Sequence, residues 1–304
     1  MRKNILILLS VIGITMSACR DRAGSGNTFV FPESDTFPIS EAEELSAEAI
    51  DDIVRNISSP VEISAILQAL NVPFSIEYLA STKDVDRLSS NFEKALKLGI
   101  YGADLGYLNM YERTANSIEV VQAIKKLADG IRVGQFFDFE TIKRLADSRS
   151  SIDSLLYISI QSYNNMDAYL REGQRGHLSS LMVTGVWIEA QYLATQVIQD
   201  YPDEILRNRI GEQKIIINDL MMLLAPYCTA GKEFTALCEK MERLRDAYSD
   251  IRITYTLGEP ETTEIDGRLT VIQNEESLVE MNDQQLLEII ELTKAIRNEL
   301  IAGG

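Results

Sequence analysis

Apolar residues return at every third or fourth position along most of this chain, the spacing that lays one stripe on one side of an α-helix. Leu45, Ala49, Ile50 and Ile53 form the first stripe, behind a capping box of Ser40 and Glu43. Ser59, Pro60 and Glu62 open a short second segment that ends near Asn71 and Pro73. A third is predicted from Asp84 to Leu98, stopping at Gly99. Helical spacing recurs over 100–113, 117–132, 139–148, 151–171, 176–200, 204–224, 232–250 and 283–301. Asn116 with Glu119, Asp138, and Asn282 with Gln285 carry side chains that accept bonds from the free amides of a first helical turn, so they are the expected N-caps of three of these helices.

Short connections between long amphipathic segments favour antiparallel neighbours, so the pattern predicts an all-α fold, either an antiparallel bundle or a curved stack of helical hairpins. One stretch breaks it. From Ile251 to Ile272, ITYTL and RLTVI alternate and are rich in β-branched residues, with Gly258, Pro260 and Gly267 between them, which predicts a small hairpin or extended excursion. Glu259, Glu261, Glu264 and Asp266 would keep its tip in water. Leu178–Ile198 is apolar enough to raise the question of a membrane span, but Glu189, Gln191 and Gln196 fall inside it, and a central helix covered on several sides fits better.

The first forty residues follow different rules. Arg2 and Lys3 precede an apolar run, Ile5 to Met16, too short to be a permanent span, and Ser17 and Ala18 then precede Cys19. This is the layout of a lipoprotein signal peptide, cleaved before Cys19 and lipidated on it, although Met16 stands where leucine is commoner. The expected organisation is a signal peptide over 1–18, a Gly- and Pro-containing tether over 19–38, and one helical domain over 39–304, with an extended insertion at 251–281 and a terminal helix at 282–301. Acyl chains on Cys19 would hold the protein to a membrane, and the lack of an acidic run directly after it favours the periplasmic face of an outer membrane.

Charge narrows the partners. The chain has 29 basic and 46 acidic residues; loss of Arg2 and Lys3 with the signal peptide leaves 27 against 46, a net −19 that repels nucleic acid and anionic headgroups. Cys228 and Cys238 flank a turn-like stretch, and in an oxidising compartment they could form a disulfide or remain two buried thiols. His177 is the sole histidine, which removes two-histidine zinc and di-iron sites, and it is expected at the surface or at a helix cap. No phosphate-binding glycine loop and no nucleophile elbow occurs, so neither a metal nor a cofactor is implied.

Two stretches carry the candidate site. In Leu98–Tyr111, Tyr101, Asp104, Leu108 and Tyr111 share a helical face that could line a polar pocket for a small ligand, or pack with Asp104 bonded to a tyrosine. Gly102 and Gly106, four apart, would let another helix approach closely. In Gly173–Glu189, Trp187 is expected to anchor the core on a different face from Glu189, and Arg175 or Glu189 could pair with Asp104 or with another helix. The stretches KALKLGIYGADLGYLNMY and RGHLSSLMVTGVWIEAQYLATQ resemble parts of a family of all-helical envelope lipoproteins of the Bacteroidota kind, one with no established activity. The resemblance implies an envelope location and a helical fold. The function expected is non-enzymatic binding or assembly with an envelope protein partner or small ligand; the alternative is a metal-independent hydrolase that uses two carboxylates on a cell-wall or sugar substrate.

Overall fold

The computed structural model describes residues 70–136, 152–257, 261–265, 268–272 and 275–302, with Ala49, Ile50, Ile53, Leu67, Glu140 and Thr141. All of them belong to one compact unit, Ser34–Gly304. The signal peptide, Cys19, the tether, the Ser40 and Ser59 caps, Asp138 and most of the 139–148 helix lie outside the described residues.

Seven helices follow in order: α1 (Asn91–Met110), α2 (Thr114–Gly130), α3 (Ile152–Glu172), α4 (Gly176–Asp200), α5 (Glu204–Leu224), α6 (Lys232–Ala247) and α7 (Asp283–Ala302). Their starts have visible causes. Ser90 Oγ accepts from the Glu93 amide at 3.0 Å while Glu93 Oε2 accepts from the Ser90 amide at 3.1 Å, a capping box that begins α1 at Asn91, not at Asp84. Residues Val85–Arg87 form only a 3₁₀ turn. Asp203 Oδ1 caps α5 through the Ile205 and Leu206 amides. Asn282 and Gln285 exchange the reciprocal bonds their spacing implied, at 2.8 and 2.9 Å. Asn116 is no cap: α2 starts earlier, after Arg113, and takes Asn116 into its first turn.

Gly99 does not stop a helix either, because it sits mid-α1 where α4 crosses. A Cβ on Gly99 would lie 2.0 Å from the Met182 carbonyl oxygen, and one on Gly185 would lie 2.1 Å from the Leu96 carbonyl oxygen. The two glycines face each other, and backbone meets backbone at the crossing. Gly102 and Gly106 do not serve that purpose: a Cβ on Gly102 would touch only the Tyr163 ring edge, at 3.3 Å, and one on Gly106 would meet nothing within 4 Å.

The pairs α1–α2, α3–α4 and α4–α5 run antiparallel. Lys94 lies beside Gly130 and Asn109 beside Ser117; Tyr163 reaches Met182 while Asp167 reaches Ser179; Ser180 reaches Leu223 while Trp187 reaches Gln213. The central pair differs. Gly99 meets Gly185 and Asp104 meets Glu189, so α1 and α4 run the same way where they touch. α4 is buried from His177 to Ile198 with Ala190 as the half-buried exception, and packs against α1, α3, α5 and α7. Its apolar run is explained by that position, and no helix among the described residues is long and apolar enough to cross a membrane.

The extended excursion runs from Arg252 to Glu280, inside the 251–281 insertion expected, with strand pairing that continues past the alternating stretch ending at Ile272. β1 (Arg252–Leu257) pairs antiparallel with β4 (Glu275–Glu280), and β2 (Glu261–Ile265) with β3 (Arg268–Ile272). ITYTL and RLTVI are therefore not each other's partners. Ile265 pairs with Arg268, so RLTVI takes the strand immediately before it as its partner. Lys214 on α5 holds the base of the excursion through the carbonyls of Ser249 and Ile251, and Arg207 through that of Met281.

Cys228 and Cys238 are disulfide-bonded, with Cα atoms 5.7 Å apart. A 3₁₀ turn at Ala225–Tyr227 folds the chain back so that Thr235, one turn into α6, donates to the Cys228 carbonyl at 2.8 Å. That return brings Cys228 beside a cysteine almost two turns into α6.

Candidate functional site

The stripe on α1 is where the sequence pointed, but it lines no open pocket. The chain's own residues 72–81 run along it as a strap, antiparallel to α1, and the stripe grips the strap by its backbone. Tyr111 donates to the Val72 carbonyl at 2.8 Å, the Tyr107 hydroxyl accepts from the Ser75 amide at 3.0 Å, Asp104 Oδ2 accepts from the Ala80 amide at 3.0 Å, and Tyr101 donates to the Ser81 carbonyl at 2.8 Å. Asp104 is thus bonded to an amide of the strap and not to a tyrosine. Phe74 of the strap stacks on Tyr107, ring centres 5.6 Å apart, and the Arg113 guanidinium carbon lies 4.7 Å from the Phe74 ring centre. Burial pushes the Tyr101 hydroxyl well above the usual tyrosine range and Tyr111 up to about 12, so both are neutral donors.

Behind the strap lies a cluster of three charge-bearing groups. Glu189 and Asp104 are both 0% exposed and Arg297 is 6% exposed. Arg297 clasps Glu189 with two bonds, Nε to Oε2 at 2.8 Å and Nη2 to Oε1 at 2.6 Å, and also gives Nη2 to the Tyr78 carbonyl at 3.1 Å. Its guanidinium carbon is 4.2 Å from the centre of the Tyr192 ring. Asp104 Oδ1 receives no bond from any donor. Burial first, and then the neighbouring Glu189 carboxylate, raise the Asp104 acid well above its ordinary value, against the opposing pull of Arg297. A carboxyl raised in this way keeps its proton to higher pH than a free aspartic acid does, which lessens the repulsion from the neighbouring Glu189. Three helices and the strap meet at this cluster.

Trp187 stands apart. Its Nε1 donates to Gln213 Oε1 at 2.9 Å, tying α4 to α5 in the core. Arg175 goes to a different end of the bundle, where Nη1 donates to the Ile131 carbonyl at 2.8 Å and the guanidinium lies over Tyr169. His177 is buried at 5% exposure between Tyr227 and Phe234, not at the surface, because α6 and the turn before it close over the first turn of α4. Sequence reasoning missed Arg297, Tyr107 and the strap. A signal for Arg297 was present: Glu189 is the lone charge within Leu178–Ile198, and Arg297 follows Ile289 and Thr293 on one buried stripe of α7. A solitary acid and a solitary base at core positions are an invitation to pair them.

Compared with protein-family models, curated proteins and solved structures, the chain has no match in any of the three.

Proposed function

We propose that this chain is a lipid-anchored cell-envelope protein that works by binding, as a receptor or assembly component, with its anchor on Cys19 and its helical body facing the periplasm from the outer membrane. The observation that carries the reading is how the buried polar groups are used: Asp104, Glu189 and Arg297 are closed to solvent and each is engaged by another part of the same chain. Ser17, Ala18 and Cys19 support the anchor by their order after the apolar run, and the resemblance to envelope lipoproteins agrees with it. The Cys228–Cys238 bond suits an oxidising compartment outside the cytoplasm. Hydrolysis by two carboxylates would need an acidic pair in a cleft that substrate and water can reach, and Asp104 with Glu189 lacks that opening.

Cross-linking in intact cells, followed by purification of the anchored protein and mass spectrometry, tests the proposal. A recurrent partner at comparable stoichiometry is expected. Conversion of a defined substrate by the purified protein, lost in Asp104→Asn, would overturn it.

A further inference from the structure

The strap is held by atoms that almost every residue possesses. Tyr111, Tyr107, Asp104 and Tyr101 on α1, and Arg297 on α7, engage three carbonyls and two amides between Val72 and Ser81. The strap's side chains add to this hold: Val72 and Ala80 are buried in the core, Phe74, Tyr78 and Leu79 are half-buried against it, and Pro73, Ile76 and Glu77 are exposed, Ile76 at 56%. The strap is extended at Ser75 and Leu79 and makes one 3₁₀ turn between them, at Ile76–Tyr78, so the row of fixed donors and acceptors fits a chain of that shape through its backbone groups, much as sheet edges capture added strands. Here a helix supplies the row from side chains. On its outer side the strap is fastened by one further tie, from the Tyr78 hydroxyl to Asp200 Oδ2 at 2.6 Å.

We propose that the α1 stripe is a binding groove for a peptide of the strap's shape, extended around one 3₁₀ turn, occupied at rest by the chain's own residues 72–81, and that a segment of a partner protein takes the same seat when the strap lifts. This deepens the reading of the chain as a binding component and rests on it. The groove calls for small aliphatic residues where Val72 and Ala80 are buried, and tolerates any side chain where Ile76 and Glu77 point to water. A second copy of this chain is the less fitting donor, since two strongly acidic bodies, net −17 over the full sequence, repel each other. The strap lowers the apparent affinity for a partner by the fraction of time it occupies the seat, so loosening the strap must raise that affinity.

The probe is a fluorescein-labelled peptide spanning Asn71 to Asp84, titrated by fluorescence anisotropy into the full chain and into Tyr78→Phe, which removes the tie to Asp200 and leaves the α1 stripe intact. Saturable binding is expected, about tenfold tighter to the variant, as one hydrogen bond to a charged acceptor implies. Peptides carrying Ile76→Ala or Glu77→Ala should bind as the parent does, whereas N-methylation of the Ala80 amide should weaken binding about tenfold. If Tyr78→Phe loses its helical circular dichroism, the parent and N-methylated peptides are compared on the natural chain at higher concentration. Absence of saturable binding, or equal affinity of the N-methylated peptide, overturns the groove. A dimer that forms without peptide and dissolves when peptide is added overturns the assignment to a partner protein and makes a second copy the occupant. Failure of the titration alongside a partner recovered by cross-linking would sink the groove and spare the binding function.

Discussion

Asp104 carries the sharpest consequence at the residue scale. Its native acid is raised above the ordinary value of 3.8, so the folded chain holds a proton that the unfolded chain releases. Stability must then fall as pH rises above about 4, through the window up to the native value of Asp104, because the unfolded state binds fewer protons there. Asp104→Asn keeps an oxygen for the Ala80 amide and gives Glu189 a permanent donor. Urea denaturation at pH 5 and pH 8 should show the natural chain less stable at the higher pH, and the variant with that part of the slope removed. Arg297→Met leaves two buried carboxyls without a cation and should cost about 3–5 kcal/mol in the same assay. Much of this site was legible in the sequence as residue types on one face: Tyr101, Asp104 and Tyr111 were visible by spacing. What they touch was not, because the strap that fills the stripe is an irregular segment whose partners are backbone atoms, and backbone atoms leave no mark in a sequence.

Helix α1 shows what periodicity reads well and what it misreads. Its apolar stripe predicted helix on both sides of Gly99, and the structure makes the two sides one element. A glycine flanked by helical pattern has two physical meanings, an end or a close approach, and only the partner helix distinguishes them. Gly185, in the middle of the apolar α4 pattern, is the other half of that distinction. Gly99→Ala or Gly185→Ala should force α1 from α4 and cost about 3 kcal/mol or more in chemical denaturation, as overpacking in a tight core does. Gly106→Ala, with open space around the added carbon, should instead stabilise α1 by about 0.5–1 kcal/mol. The extended excursion shows the complementary lesson. Alternation located ITYTL and RLTVI as extended, but it did not say what each pairs with, and the partner of ITYTL is Glu275–Glu280, near the far end of the insertion.

Over the whole molecule, a central helix α4 is surrounded by neighbours, a disulfide closes the turn before α6, and a strap and a terminal helix are tied together over the α1–α4 crossing. A thiol count on the denatured, unreduced chain should find neither Cys228 nor Cys238 reactive, and Cys228→Ser with Cys238→Ser should lower stability by about 2–4 kcal/mol. All-helical architecture was readable because long amphipathic segments dominate the chain; the tie from Tyr78 and Ala80 to Arg297 and Asp104 was not, since it joins residues about two hundred positions apart at its longest, across Tyr78 and Arg297. The measurement that bears most directly on a strap seated over a sealed cluster is native-state hydrogen exchange of the intact protein, resolved by mass spectrometry. The Ser75 and Ala80 amides should exchange through an opening that is less costly than global unfolding, while amides in the middle of α1 and α4 exchange only when the whole body unfolds. Strap amides that exchange no faster than those of α1 and α4 would mean the strap is core, and the groove beneath it never opens.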